Sequence, residues 1–307
     1  MNIIKYTNDH NMELMTLKVE HAGKFNDDET VQINQSLEKN GIVVVKEFLT
    51  ADQLESIAQD GLKCVHPGFD AGKSLGAIIS SRTSPSTNEF SHPFLVSKAA
   101  TDVALNPAII DIIERYLENS AIVHHAIFQQ SFPLEKAAVD WHVDTGSNKA
   151  LNGLQRFPDR RLRMIVYLNE VKTGGLSYLL DTRAATNYFL NLPIHQQFPE
   201  DMIPSFEGRK VTINESAGTI ILFDAHGLHR PEPPADTRLV LNVWFARTDF
   251  SADLPPVLVD MANISKSGEQ KSYIFKNSKN YDIKIELKVL EKNETFISKV
   301  KRYIKKT

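Results

Sequence analysis

The chain has 307 residues, 42% of them hydrophobic and 24% charged, ordinary values for a globular protein with a sizeable core. Its formal net charge of −3 lacks the basic excess that general nucleic-acid binding requires. Cys64 is the single cysteine, which excludes an intrachain disulfide and a cysteine-built metal site and suggests a reducing compartment.

The first residues, MNIIKYTNDHNMELM, show no basic segment followed by an apolar run, and no stretch approaches the ~18 apolar residues of a membrane helix. The terminal Lys305-Lys306-Thr307 is no peroxisomal address, so the expected location is the cytoplasm. Residues 30–40 suit a helix stopped by Gly41, and Ile42-Val43-Val44-Val45 suit a short strand. Thr50 is the expected N-cap of a helix reaching about Leu62. Asn106-Pro107 opens another, with proline at the first helical position, where a missing N–H costs nothing. Between these helices, residues 66–100 read as a long irregular stretch, a candidate lid or binding loop.

From residue 121 the texture changes. AIVHHAIFQQ, RLRMIVYLN, LSYLL, KVTIN, TIILFD and RLVLNVWFA are β-branched, aromatic or alternating, and turn residues bound them. Short strands after a helical preface predict a mainly β fold, a sandwich or barrel with helices packed outside. Residues 145–160 form a second candidate lid. Residues 265–307 carry 12 Lys/Arg against 5 Asp/Glu. That basic extension reads as a solvated tail, or as a docking surface for an acidic partner.

Trp141-His142-Val143-Asp144 carries the chemistry. In an extended strand His142 and Asp144 point to one face, so an imidazole and a carboxylate can address one ion. A histidine from the turn in FDAHGLHRPEPPADTR, His226 or His229, would complete two imidazoles and one carboxylate. That is the facial triad of non-haem Fe(II) oxygenases, which leaves three coordination positions open. Arg238 follows nine residues after His229. Its guanidinium suits the distal carboxylate of 2-oxoglutarate better than an ammonium would. On the same face of the last strand as Arg238 lie Asn242 and Trp244. With Gln130 and Arg163 they are the pocket candidates.

EKNGIVVVKEFLTADQLESI, WHVD, LRMIVYLNEVKTGGLSYLL and FDAHGLHRPEPPADTR together make the chain resemble the phytanoyl-CoA dioxygenase family over about residues 31–248. The resemblance implies a double-stranded β-helix, the jelly-roll or cupin-like core, over about 121–250. It implies one oxygenase domain over 1–264, with its helical part at 30–120. It implies His142, Asp144 and His229 as iron ligands, Arg238 as the 2-oxoglutarate clamp, and Fe(II), 2-oxoglutarate and O₂ as cofactor and co-substrates. The implied reaction oxidises an unactivated C–H bond of a small metabolite and releases succinate and CO₂. Hydroxylation is favoured over desaturation or cyclisation, because Asp144 fills the position that related halogenases leave to halide. Where the family has Pro-Gly-Ser-His, this chain has Leu179-Leu180-Asp181-Thr182-Arg183. The competing reading is a non-catalytic or differently metallated cupin-like binding protein.

Overall fold

The computed structural model describes residues 4–7, 13–66, 81–144, 160–183, 208–249, 257–265, 268–275 and 279–281. Residues 145–159 of the second candidate lid, residues 67–80 of the first, and most of the basic extension lie outside the described residues.

The apolar runs of the sequence lie side by side because each has two faces to bury. The strands are β1 Ile4–Thr7, β2 Glu13–Lys18, β3 Ile42–Lys46, β4 Ser81–Thr83, β5 Thr87–Ser91 and β6 Ala121–Ser131, followed by β7 Leu162–Tyr167, β8 Leu176–Leu179, β9 Lys210–Ile213, β10 Ile220–Asp224, β11 His229–Pro231 and β12 Arg238–Arg247. A nine-stranded mixed sheet runs β1-β2-β3-β10-β7-β12-β6-β5-β4, and a three-stranded sheet runs β11-β8-β9. Val43, Val45, Met164, Val166, Leu222, Leu241 and Val243 point from the large sheet into a core shared with the helices. Their neighbours Ile42, Val44, Ile165, Tyr167, Ile221, Phe223 and Val240 form a second core with Leu176, Tyr178, Val211 and Ile213 of the small sheet. Strands covered on both sides read as unbroken apolar runs rather than alternation. The predicted mainly β, jelly-roll architecture with flanking helices is the one found.

The helices start and stop where their caps dictate. In α1, Asp27–Asn40, the Asn26 side chain and Glu29 form a reciprocal capping box, and Gly41 closes the helix at φ 77°. Thr50 and Gln53 form a second box at the start of α2, Ala51–Cys64. Asn106 caps α4, Pro107–Leu117, whose Ile109, Ile110, Ile112, Ile113 and Tyr116 are buried. One expectation falls short. The stretch 66–100 is not irregular throughout: it contains β4, β5 and α3, Lys98–Ala104. In Thr87–Ser91 only Phe90 is apolar, so the strand carries too weak an alternation to be seen. β2 and the three-residue β11 were also invisible, for similar want of length or period.

Gly41 fastens the helical layer to the barrel. Its carbonyl accepts from Asp224 N at 2.7 Å, and a Cβ at this position would sit 2.4 Å from Tyr178 Oη. Gly41→Ala should therefore cost more than about 1 kcal/mol, from the left-handed backbone and the clash together. An unchanged urea midpoint would contradict this.

Candidate metal centre

The segment Trp141–Asp144 belongs to neither sheet, and backbone hydrogen bonds stitch it to the turn after β10. His142 N donates to His229 O and His229 N to His142 O, each at 3.0 Å, and Asp144 N donates to Ala225 O at 2.8 Å. His142 and His229 are thus opposed residues of an antiparallel bridge. Directly opposed residues place their side chains on the same face. The two rings accordingly lie 4.4 Å apart, centre to centre.

Each ring is held by its other nitrogen. His142 Nδ1 is 2.8 Å from Asp140 O, and His229 Nδ1 is 2.8 Å from Gly227 O. A carbonyl can only accept, so both Nδ1 atoms carry the proton and both Nε2 lone pairs face inward. His142 Nε2 lies 3.7 Å from Asp144 Oδ1 and His229 Nε2 lies 3.8 Å from Asp144 Oδ2. One ligand atom from each of the three residues can be chosen so that all lie within 4.8 Å of one another. His229 Nε2 is buried and has no hydrogen-bond partner. A buried lone pair without a donor is costly in a bare protein and natural in one that binds a cation.

Charge states agree with the geometry. Burial, with His142 alongside, pushes the His229 imidazole down to about 3, against the pull of Asp144. Burial also lowers His142, with Asp144 opposing. Burial would raise Asp144, but Arg163, His229, His142 and the Trp244 N–H hold its carboxyl well below the usual carboxylate range. Two neutral imidazoles and one carboxylate are the donor set of a facial-triad iron site.

His226, the rival for third ligand, is buried against Asp224. Its Nδ1 lies 3.6 Å from Asp224 Oδ1, and its backbone N donates to that oxygen at 2.8 Å. Asp224 is fully buried and also takes the Tyr116 hydroxyl at 2.5 Å and Arg183 Nε at 3.0 Å. This network, which the sequence did not reveal, fixes the turn that ends in His229. Tyr178 stacks on the His229 ring and Phe223 meets it edge-on. Thr182, in the departure from the family pattern, accepts from Leu228 N at 2.8 Å and donates to Leu179 O. Leu179–Arg183 thus braces His229. That role was out of reach of the sequence, because it depends on which turn faces which.

The pocket candidates divide. Arg163 and Trp244 reach the centre and donate to Asp144 Oδ2 at 3.1 and 3.0 Å. Asn242 is fully buried and accepts from Arg163 Nη2 at 3.3 Å. Gln130 is not brought to the site. It pairs with Leu239, which faces the helices, whereas Gln129 opposes Val240 on the barrel side and accepts from Asn242 Nδ2 at 3.1 Å. The strand parity was out by one, which moves a side chain to the other face. His125 opposes Trp244, and their rings lie 4.7 Å apart, tilted by 51°.

Arg238 is buried with its guanidinium donating to the Gly174 carbonyl and to Ser131 Oγ, and its Nε has no partner. No carboxylate within ion-pair distance is seen among the described residues. It borders a cavity of about 280 Å³ lined by Ser84, Thr87, Glu89, Gln129, Ser131 and Pro231 among others. Pro231 lies on β11, two residues beyond His229.

Residues 129–246 match the family model of the 2OG-Fe(II) oxygenase superfamily. The matched stretch includes His142, Asp144, His229 and Arg238. The chain is a 2-oxoglutarate-dependent oxidoreductase whose cofactor and co-substrates are Fe(II), 2-oxoglutarate and O₂. Among solved structures, EctD from S. alaskensis with 2-oxoglutarate and 5-hydroxyectoine superposes with a TM-score of 0.56 at 17% identity, covering 75% of this chain and 81% of that one. The epimerase SnoN from nogalamycin biosynthesis, in complex with Fe³⁺, α-ketoglutarate and nogalamycin RO, does so with a TM-score of 0.51 at 15% identity, covering 72% and 85%. The carbocyclase SnoK from the same biosynthesis has a TM-score of 0.50 at 14% identity, covering 70% and 83%. These likenesses are of fold. A search of curated protein sequences finds no match. No helix among the described residues is long and apolar enough to cross a membrane.

The buried imidazoles set a pH dependence. His229 and His124 are held at about 3 and His125 at about 4, each chiefly by burial. In the unfolded chain they titrate near ~6.5. The folded pKa values are depressed, so the stability is present above ~6.5 and is lost as pH falls towards 3–4, where the unfolded state takes up the protons. The urea midpoint of the metal-free protein should decline steadily from about pH 6.5 to about pH 4.5. A flat midpoint over that interval would refute the burial of these rings.

Proposed function

We propose that His142 Nε2, Asp144 and His229 Nε2 hold Fe(II), and that Arg238 takes the distal carboxylate of 2-oxoglutarate. The observation carrying the reading is the pair of inward Nε2 lone pairs converging on one carboxylate, each ring locked by its Nδ1–H on a backbone carbonyl. When bound, iron with 2-oxoglutarate and O₂ supplies the oxidising power and releases succinate and CO₂. The protein's own work is positioning. The bridge between residues 142 and 229 sets the spacing of the ligands. Tyr178 and Phe223 keep water from the His229 ring. A buried guanidinium without a carboxylate partner among the described residues, at the edge of a cavity, gives Arg238 an unmet need for an anion.

The reaction we assign is hydroxylation of an unactivated C–H bond in a small metabolite, since Asp144 occupies the third protein position at the centre. The fold's relatives include an epimerase and a carbocyclase, so outcome is a property of the bound substrate rather than of the barrel. Within the superfamily, Trp141-His142-Val143-Asp144 and the spacing to Arg238 support placement with the phytanoyl-CoA dioxygenase-like branch.

Succinate release from 2-oxoglutarate, followed with Fe(II) and a metabolite panel, tests the reaction. His142→Ala and His229→Ala should each reduce it to background. Release at the parent rate in either variant would remove that histidine from the ligand set. Arg238→Ala should weaken 2-oxoglutarate binding to the Mn(II)-loaded, anaerobic protein about tenfold or more, the worth of a charge-assisted bond. Titration calorimetry giving the parental Kd would remove Arg238 from the clamp.

A further inference from the structure

We propose that Arg163 and Trp244 are positioning residues that restrict Asp144 to one-oxygen coordination; the inference rests on the metal reading above. Both donate to the same atom, Asp144 Oδ2, from 3.1 and 3.0 Å. Two donors, one of them a cation, thus share that oxygen. Oδ1, 3.7 Å from His142 Nε2, accepts neither bond; Oδ2 lies 3.8 Å from His229 Nε2, so both oxygens border the centre and the donors decide between them.

The clamp is itself immobilised. The Arg163 guanidinium lies over the Trp244 ring at 4.1 Å, and its second arm donates to Asn242 Oδ1 at 3.3 Å. Asn242 Nδ2 donates to Gln129 Oε1 at 3.1 Å, and Gln129 Nε2 to Glu89 Oε1 at 3.2 Å. The buried cation is therefore shared between Asp144 and a hydrogen-bonded chain that ends at a carboxylate on the cavity wall. Both terminal nitrogens of Arg163 are thus engaged by protein groups, while its buried Nε has no hydrogen-bond partner. The consequence for the centre is geometric. A carboxylate binding through both oxygens would take one of the three positions that a chelating 2-oxo acid and O₂ require. With Oδ2 engaged by two protein donors, only Oδ1 is free to ligate, which keeps that position open.

Co(II) titration of the metal-free protein, without 2-oxoglutarate or substrate, separates this role from mere packing, because the visible absorption of Co(II) reports coordination. Arg163→Gln should weaken Co(II) binding roughly tenfold to a hundredfold, the usual reach of a partner behind a ligand, and alter the band pattern. Arg163→Lys, which keeps a donor for Oδ2 but cannot also span to Asn242, should recover part of the affinity. Trp244→Phe keeps the ring under the guanidinium and removes one donor, so it should cost several-fold. It also decides the matter should Arg163→Gln melt below the working temperature. Parental affinity and spectrum in Trp244→Phe and in folded Arg163→Gln would overturn the proposal. His229→Ala is the control for the reading beneath it: parental Co(II) binding there would sink the metal site itself rather than the clamp.

Discussion

Two backbone hydrogen bonds between residues 142 and 229 hold the centre together. They join a segment outside both sheets to a strand of three residues, and they make opposed partners of two histidines that lie 87 positions apart. Everything else depends on that pairing. The stack with Tyr178, the edge contact with Phe223 and the Thr182 hydroxyl all fix β11, and β11 fixes His142 through the bridge. Without those braces the bridge would be an isolated pair, which has little stability of its own.

Much of this was written plainly in the chain, because the signals were local. Gly41, Thr50 and Asn106 mark helix ends through side-chain and backbone chemistry within one turn of the boundary. Ile42–Val45 and Ile220–Phe223 are apolar on both faces, and only a covered strand needs that. His142 and Asp144 share a face through a two-residue period, and the structure keeps both beside His229. What stayed hidden was relational. Gln129, not Gln130, faces the barrel because a register, not a composition, decides it. Choosing His229 over His226 by residue pattern alone was a choice between neighbours in one turn. The coordinates separate them through Asp224, a carboxylate whose partners Tyr116 and Arg183 lie 108 and 41 residues away.

Trp244 shows how a packing residue and a site residue differ by one polar atom. Its ring is only half-buried and would pass for a barrel-wall aromatic, yet its N–H reaches Asp144 Oδ2. Arg163 is the complementary case: a pocket candidate in the sequence, its guanidinium pairs with Asp144 inside the protein. Buried charges are tolerable when paired and hydrogen-bonded, and Arg163 has both forms of compensation.

Arg238 has hydrogen bonds from the protein but no counter-charge among the described residues, and the charge balance of the site follows from that difference. On the proposed reading, iron(II), Asp144, Arg163, Arg238 and Glu89 carry a formal excess of two positive charges. The two carboxylates of 2-oxoglutarate cancel it. Arg163 and Asp144 are mutually neutral before any ligand arrives, so the co-substrate is drawn by the iron at one end and by Arg238 at the other. A monoanion could neutralise only half of that field. A dicarboxylate long enough to span from the metal to the guanidinium neutralises all of it, and selection by total charge and by reach then needs no further polar contact from the cavity wall.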